Sequence, residues 1–133
     1  MLPREGARVR RDAEFRLGYC YDKGYGVKKD YKEAMKWYQK AAKKGDAAAI
    51  NNIGSLYWNG HGVKKNYTTA CEYFLKAAKK GDDQAQCNMG YSYRYGKGVD
   101  KNREEAIYWY KKSAEQGHKD AIKALKNMGE YED

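Results

Sequence analysis

Leu17-Gly18, Ile53-Gly54 and Met89-Gly90 recur at intervals of 36 residues, and Leu125 stands where a fourth pair would open. The blocks 17–52 and 53–88 share 18 of 36 residues, far beyond coincidence. A supersecondary unit of this length cannot bury its own apolar face, so copies must stack on one another into a solenoid. The repeat therefore constrains the chain to a scaffold built from nearest-neighbour contacts, in one domain of 133 residues.

The spacing within one copy predicts two helices. Ala13, Leu17 and Tyr21 fall four residues apart and share a face. The set returns as Ala49, Ile53 and Tyr57, then as Ala85, Met89 and Tyr93. Beside them stands a glycine (Gly18, Gly54, Gly90) inside the helix, where it costs about 1 kcal/mol against alanine. Such a glycine is expected where a second helix approaches closely. Gly24, Gly60 and Gly96 are expected to end this helix A in the left-handed conformation. A second glycine (Gly26, Gly62, Gly98) and a valine plug (Val27, Val63, Val99) complete the loop.

Asp30, Asn66 and Asn102 are expected to cap helix B, and Glu33 and Glu105, three residues on, would complete capping boxes. Helix B is expected to bury Ala34, Trp37, Tyr38, Ala41 and Ala42 and their counterparts, large rings filling hollows over small residues. Gly45, Gly81 and Gly117 end it, and Asp46 or Asp82 caps the next helix A. Helix A of the fourth unit, roughly 119–130, would cover the last helix B. Residues 1–11 carry four arginines against one glutamate, and are expected as a loosely ordered basic arm.

LGYCYDKGYGVKKDYKEAMKWYQKAAKKGD, IGSLYWNGHGVKKNYTTACEYFLKAAKKGD and MGYSYRYGKGVDKNREEAIYWYKKSAEQGH resemble Sel-one-like repeats, relatives of the tetratricopeptide repeat with a longer unit and a Gly-x-Gly-Val loop. The resemblance covers about residues 12–125. It implies an all-α fold, an α/α right-handed superhelical solenoid of antiparallel hairpins with about seven helices. Repeats would span 12–46, 47–82 and 83–118, followed by a capping helix over 119–130. It further implies that helix A lines the concave side and that the chain is an adaptor in a protein assembly. A cysteine-rich branch of the family, associated with penicillin binding, carries a regular cysteine pair in each unit; this chain lacks it.

Catalytic chemistry needs convergent groups, and the sequence supplies none. Its two histidines, His61 and His118, have no partner at metal-ligand or general-base spacing. Each Gly-x-Gly follows a helix and not a strand, so it is a turn and not a dinucleotide fingerprint. No cofactor, no metal and no enzymatic activity are expected. Three unevenly spaced cysteines, Cys20, Cys71 and Cys87, favour a reducing compartment. Cys71 reads as a small buried hydrophobe, Cys87 as a buried residue or a reactive thiol. Residues 1–11 lack the apolar stretch of a signal peptide, and no run is long enough to span a membrane. A cytoplasmic location is expected, with export left open.

A net charge of +9 raises nucleic acid or another acidic surface as an alternative partner. The lysines divide, however, between the start of helix B (Lys28, Lys29, Lys64, Lys65, Lys101) and its far end (Lys40, Lys43, Lys44, Lys76, Lys79, Lys80). A helix of about 15 residues separates them by about 22 Å, against a screening length of about 8 Å.

Positions that read a partner are free to differ between copies, unlike core positions. The side of helix A away from the Ala/Leu/Tyr face presents Asp12, Phe15, Arg16, Tyr19 and Lys23 in copy one. Copy two gives Ala48, Asn51, Asn52, Ser55 and Asn59, and copy three Gln84, Cys87, Asn88, Tyr91 and Tyr95, with Trp58 and Arg94 flanking. Aromatic rings, arginine and amides suit a peptide segment. Phe15, Arg16, Tyr19, Lys23, Asn51, Asn52, Ser55, Trp58, Asn59, Asn88, Tyr91, Arg94 and Tyr95 are thus the expected partner-binding residues. Self-association through the uncovered helix A of copy one is a further alternative.

Overall fold

The computed structural model describes residues 3–132. Among them are seven helices and no strand: α1 (Pro3–Lys23), α2 (Tyr31–Lys43), α3 (Ala47–Asn59), α4 (Tyr67–Lys79), α5 (Asp83–Tyr95), α6 (Arg103–Glu115) and α7 (Lys119–Asn127). Odd-numbered helices are the A helices, even-numbered the B helices. Each A helix pairs with its own B helix, and each B helix packs on the A helix that follows.

Helix ends follow from local chemistry. Asp30, Asn66 and Asn102 accept from the amides of Glu33 (3.1 Å), Thr69 (3.0 Å) and Glu105 (3.1 Å). Asp46 and Asp82 do the same for Ala49 and Ala85 at the next A helices. The A helices close on left-handed Gly60 and Gly96, with the amide of the following residue returning to Leu56 (2.9 Å) and Ser92 (3.0 Å).

The expected capping boxes are only half made. The amides of Asp30 and Asn102, which Glu33 and Glu105 were to engage, donate instead to Tyr21 and Tyr93 carbonyls, both at 2.9 Å. Asn66 donates likewise to Tyr57. A bond across the hairpin has replaced one along the helix, and Glu33 turns to Lys36.

Within each hairpin the ring of helix B lies on the glycine of helix A. A Cβ at Gly18, Gly54 or Gly90 would stand 2.6, 2.7 and 2.6 Å from Tyr38, Phe74 and Tyr110. These rings are almost fully buried, each contributing about 1.5–3 kcal/mol by removal from water. Between hairpins, Ala42, Tyr57 and Tyr73 bridge one buried cluster to the next, so the core is continuous along the array.

Several expectations change, most of them at the ends. The stretch 3–11, expected as a loosely ordered arm, is the beginning of α1; Met1 and Leu2 lie outside the described residues. Proline is well placed in the first turn of a helix, and the Arg/Ala-rich run that follows suits its continuation. The last helix stops at Asn127 and not near 130, because Gly129 takes a left-handed φ of +74°. Ala13 and Leu17 are exposed although Ala49, Ile53, Ala85 and Met89 are buried, since among the described residues no B helix packs on α1 from that side. Val27 is exposed for the same reason, whereas Val63 and Val99 pack into the core. Trp37, expected in the core, is half-buried and lies under the Lys40 ammonium.

Candidate functional site

Neighbouring A helices approach one another, α3 against α5 and α5 against α7, while no two B helices meet to the same extent. Crowding of one set puts it on the inner side of the curvature. The inner face is therefore built from α3, α5 and α7.

Two adjoining cavities open there. One, about 300 Å³, is lined by Ser55, Trp58 and Asn59 of α3, Asn88 and Tyr91 of α5, and Phe74 beneath. The second, about 310 Å³, shares Asn88 and Tyr91 and continues through Gln84, Cys87, Arg94 and Tyr95 to α7. The two form one groove with Asn88 and Tyr91 at its middle. Trp58 meets Tyr91 edge-on at 6.0 Å and Tyr67 at 4.6 Å, and Tyr91 meets Tyr95 at 4.7 Å. Lys97 stands over both Tyr67 and Tyr91 at 5.8 Å, and Arg94 over Tyr95 at 5.2 Å.

A chain of amides crosses the same face. Gln84 donates to Asn88 (3.3 Å), Asn88 to Asn51 (3.0 Å), and Asn51, at a longer 3.5 Å, to Asn52. Asn52 in turn interacts with the Tyr38 hydroxyl, which donates to Asp22 at 2.8 Å. Donors all point the same way, so each bond polarises the next. Burial and the Asp22 carboxylate push the Tyr38 hydroxyl well above the ordinary tyrosine range. A primary amide has two donors and two acceptor sites. Asn88 uses one of each here, leaving one N–H and one lone pair for an incoming backbone.

The position of Asp22, Trp58 and Arg94 is matched to the ring it faces on helix B. Asp22 accepts from Tyr38, and Arg94 engages the Tyr110 hydroxyl, whose pKa burial pushes up to about 12. Where the ring is Phe74, with no hydroxyl to satisfy, the residue is Trp58, at 5.9 Å. Trp58 and Arg94 thus both hold the hairpin and line the groove.

Of the expected binding residues, Ser55, Trp58, Asn59, Asn88, Tyr91, Arg94 and Tyr95 are brought together in this groove. Asn59 turns its amide to the Ser55 carbonyl (3.0 Å), and Asn52 lies beside the groove in the amide chain. Phe15, Arg16, Tyr19 and Lys23 form a separate patch on α1: Phe15 stacks on Tyr19 at 6.2 Å, Lys23 caps Tyr19 at 5.7 Å, and Arg16 is exposed. Asn51 is corrected. It is 3% exposed, wedged between α3 and α5, and it orients Asn88 in place of meeting a partner. Cys87 is buried as well; burial, Asp120 and Asp83 push its thiol up to about 12, which keeps it protonated and unreactive near neutrality.

Sequence reasoning missed Asp120, Lys123, Ala124 and Asn127, which close the groove on α7. They continue the series Ala48/Gln84, Asn51/Cys87, Asn52/Asn88 and Ser55/Tyr91 by 36 residues. The signal was present, but the fourth unit read as a plain cap. No group of three or more His, Cys, Asp or Glu side chains among the described residues is placed to hold a metal ion. His61 stacks on Tyr31, and His118, which cannot cap α7 through its side chain, instead meets Asp83 at 2.9 Å. No described helix is long and apolar enough to cross a membrane.

The Sel1 repeat model matches residues 11–46, 47–82 and 83–118. The chain belongs to the Sel1 repeat family. Proteins of this family generally act as protein–protein interaction modules and are generally noncatalytic. A Sel1 repeat protein from Oxalobacter formigenes superposes with a TM-score of 0.86 at 44% identity, covering 94% of this chain and 51% of that one. The protective antigen c5321 of uropathogenic Escherichia coli, which displays the same fold, gives 0.85 at 40% identity, over 91% and 26%. Cysteine rich protein B of Helicobacter pylori gives 0.74 at 22% identity, over 93% and 98%, and speaks for the fold alone. Among curated proteins, the chitin synthase regulator SKT5 of Saccharomyces cerevisiae is 46% identical over 43 residues, 32% of this chain and 6% of that protein. The DAP3-binding cell death enhancer 1 of Rattus norvegicus is 43% identical over 44 residues, 33% of this chain and 9% of that protein. The chain thus spans less than a tenth of either curated relative.

Proposed function

We propose that this Sel1 repeat chain is a noncatalytic interaction module whose inner groove holds an extended segment of a partner protein. The observation that carries this reading is the continuity of the groove across α3, α5 and α7, with exposed rings beside unsatisfied amide groups. Rings supply contact area at little entropic cost, and amides satisfy a main chain without demanding a sequence. The likeness to a chitin synthase regulator and to a DAP3-binding protein fits a module that works by contact with other proteins.

Tyr91 and Tyr95 are 41% and 50% exposed, so replacing both by alanine leaves the core intact. Affinity capture from the native cell with the double variant is expected to recover at least tenfold less partner, as for central aromatic contacts elsewhere. Undiminished recovery, with an unaltered circular dichroism spectrum, overturns the reading.

Uncovered Val9, Ala13 and Leu17 on α1 favour a second reading, self-association through that face. It predicts a sedimentation coefficient that rises with concentration and a Leu17→Glu variant in which the rise disappears. A concentration-independent monomer removes this reading and leaves the groove untouched.

A further inference from the structure

On the opposite side of the array, α2 and α4 flank a second cavity of about 380 Å³, floored by Ile50 and Ile53 of α3. Ala42 and Tyr73 form its apolar walls, and Lys43 and Lys76 stand at its rim. Neither lysine forms an ion pair among the described residues. Both are exposed, as are Lys40 and Lys79 in the same last turns of α2 and α4. This edge of the molecule is strongly cationic around an apolar slot.

The molecule itself shows what kind of segment seats in such a slot. Two repeats further on, Ala114 and Leu125 stand 72 residues after Ala42 and Ile53 and line the corresponding cavity of about 280 Å³. Among the described residues no B helix stands against it to supply a ring. Tyr131, from the segment after α7, lines the slot in place of a helix-B aromatic, with Lys126 beneath the ring at 5.7 Å. Glu130, next to it, pairs with Arg103 at 3.3 Å. An aromatic next to an acid, Glu130-Tyr131, thus lines an Ala/Leu slot whose rim carries Lys111 and Glu115, whereas the slot between α2 and α4 has Lys43 at the register of Glu115 and so offers cations alone among its charged lining residues. Between α4 and α6 the residues differ: Trp109, 7% exposed, stands where Tyr73 does, and Gln86, bonded to the Ala78 carbonyl, stands where Ile50 does.

We propose that the outer groove between α2 and α4 is a second docking surface, taking an acidic segment of a partner protein that presents an aromatic side chain. The ring enters against Ala42, Ile50 and Tyr73, and flanking carboxylates meet Lys43 and Lys76. The inner groove is rich in amides and carries Asp120 among its cations, so the two surfaces select different segments and can be occupied together.

The probe is a labelled peptide of residues 127–133, Asn-Met-Gly-Glu-Tyr-Glu-Asp, titrated with the full chain by fluorescence anisotropy. Binding is expected, weakened about tenfold by the Lys43→Glu/Lys76→Glu double variant, through loss of paired charge. The same peptide with its tyrosine replaced by alanine is expected to lose as much. Ala42→Leu, which fills the slot without altering charge, is expected to weaken binding while Lys43 and Lys76 remain. Absence of binding by the native chain overturns the proposal. So does equal binding of the alanine peptide, which reduces the site to bulk cationic attraction. Loss of peptide binding in the Tyr91→Ala/Tyr95→Ala variant also overturns it, by assigning the peptide to the inner groove.

Discussion

Gly90→Ala is expected to destabilise the protein by about 1–3 kcal/mol, the cost of overpacking a filled core. Helix propensity alone gives the opposite sign, because alanine in a helix interior is favoured over glycine by about 1 kcal/mol. The outcome is decided by the ring of Tyr110. A Cβ at Gly90 would stand 2.6–2.7 Å from three of its ring atoms, and the ring is 2% exposed. Gly54→Ala meets the Phe74 ring at 2.7 Å and the Ala70 carbonyl at 3.0 Å, so its expected loss is similar. Urea unfolding of both variants against the native chain measures the effect. Combining Gly54→Ala with Phe74→Leu tests the cause. The pair is expected to lose less than the sum of the single changes, since the leucine removes the clash as it forfeits the ring. A midpoint that rises in Gly90→Ala would show that the helices move apart freely, and would refute close packing as the reason for glycine.

That contact was legible before any coordinates, because an internal glycine at a fixed register has few other physical explanations. Helix caps were legible for the same reason: Asp30, Asn66 and Asn102 act within three residues of themselves. What the sequence concealed depends on neighbours distant along the chain. The amide of Asp30 could be engaged by Glu33 or by a carbonyl across the hairpin, and only the approach of α1 to α2 decides for Tyr21. Asn51 projects from the same side of helix A as Asn52 and Ser55. Its burial follows from the crowding of α3 against α5, a property of the array's curvature. Phe15, at the same register in copy one, remains half-buried. The α7 side of the groove was concealed by a departure in one face of a helix, Lys126 and Gly129, that says nothing about the other face. The outer groove is lined by Ile50 and Tyr73, whose counterparts are Gln86 and Trp109, and periodicity treats tyrosine and tryptophan as equivalent.

Three glycines with nearly the same backbone, Gly26, Gly62 and Gly98, are expected to respond very unequally to alanine. Their φ values are +72°, +76° and +76°, so each variant bears the left-handed penalty of about 1–2 kcal/mol for a residue with a Cβ. At Gly26 nothing lies within 4 Å of the added atom, and that penalty is the whole expected effect. At Gly62 the Cβ would stand 2.9 Å from the Tyr31 side chain and 3.1 Å from its carbonyl carbon, at the start of the preceding helix B. At Gly98 it would meet the Tyr67 carbonyl oxygen and, at 2.6 Å, the sulfur of Cys71. That sulfur is itself confined between Ser92 at 3.3 Å and the Lys97 carbonyl at 3.4 Å. Gly98→Ala must therefore displace backbone, and is expected to cost about 2 kcal/mol or more beyond Gly26→Ala, as overpacking of a rigid contact does. The ordering reports how one copy grips the one before it. Gly62 and Gly98 touch helix B of the preceding copy, whereas Gly26, with no such helix among the described residues, serves its turn alone. Denaturant midpoints for the three variants give the series directly. Equal losses at Gly26 and Gly98 would mean that the loops contribute nothing between repeats. A larger loss at Gly98 that is partly relieved by Cys71→Ala, which withdraws the sulfur but leaves the Tyr67 carbonyl, would locate the grip at this contact.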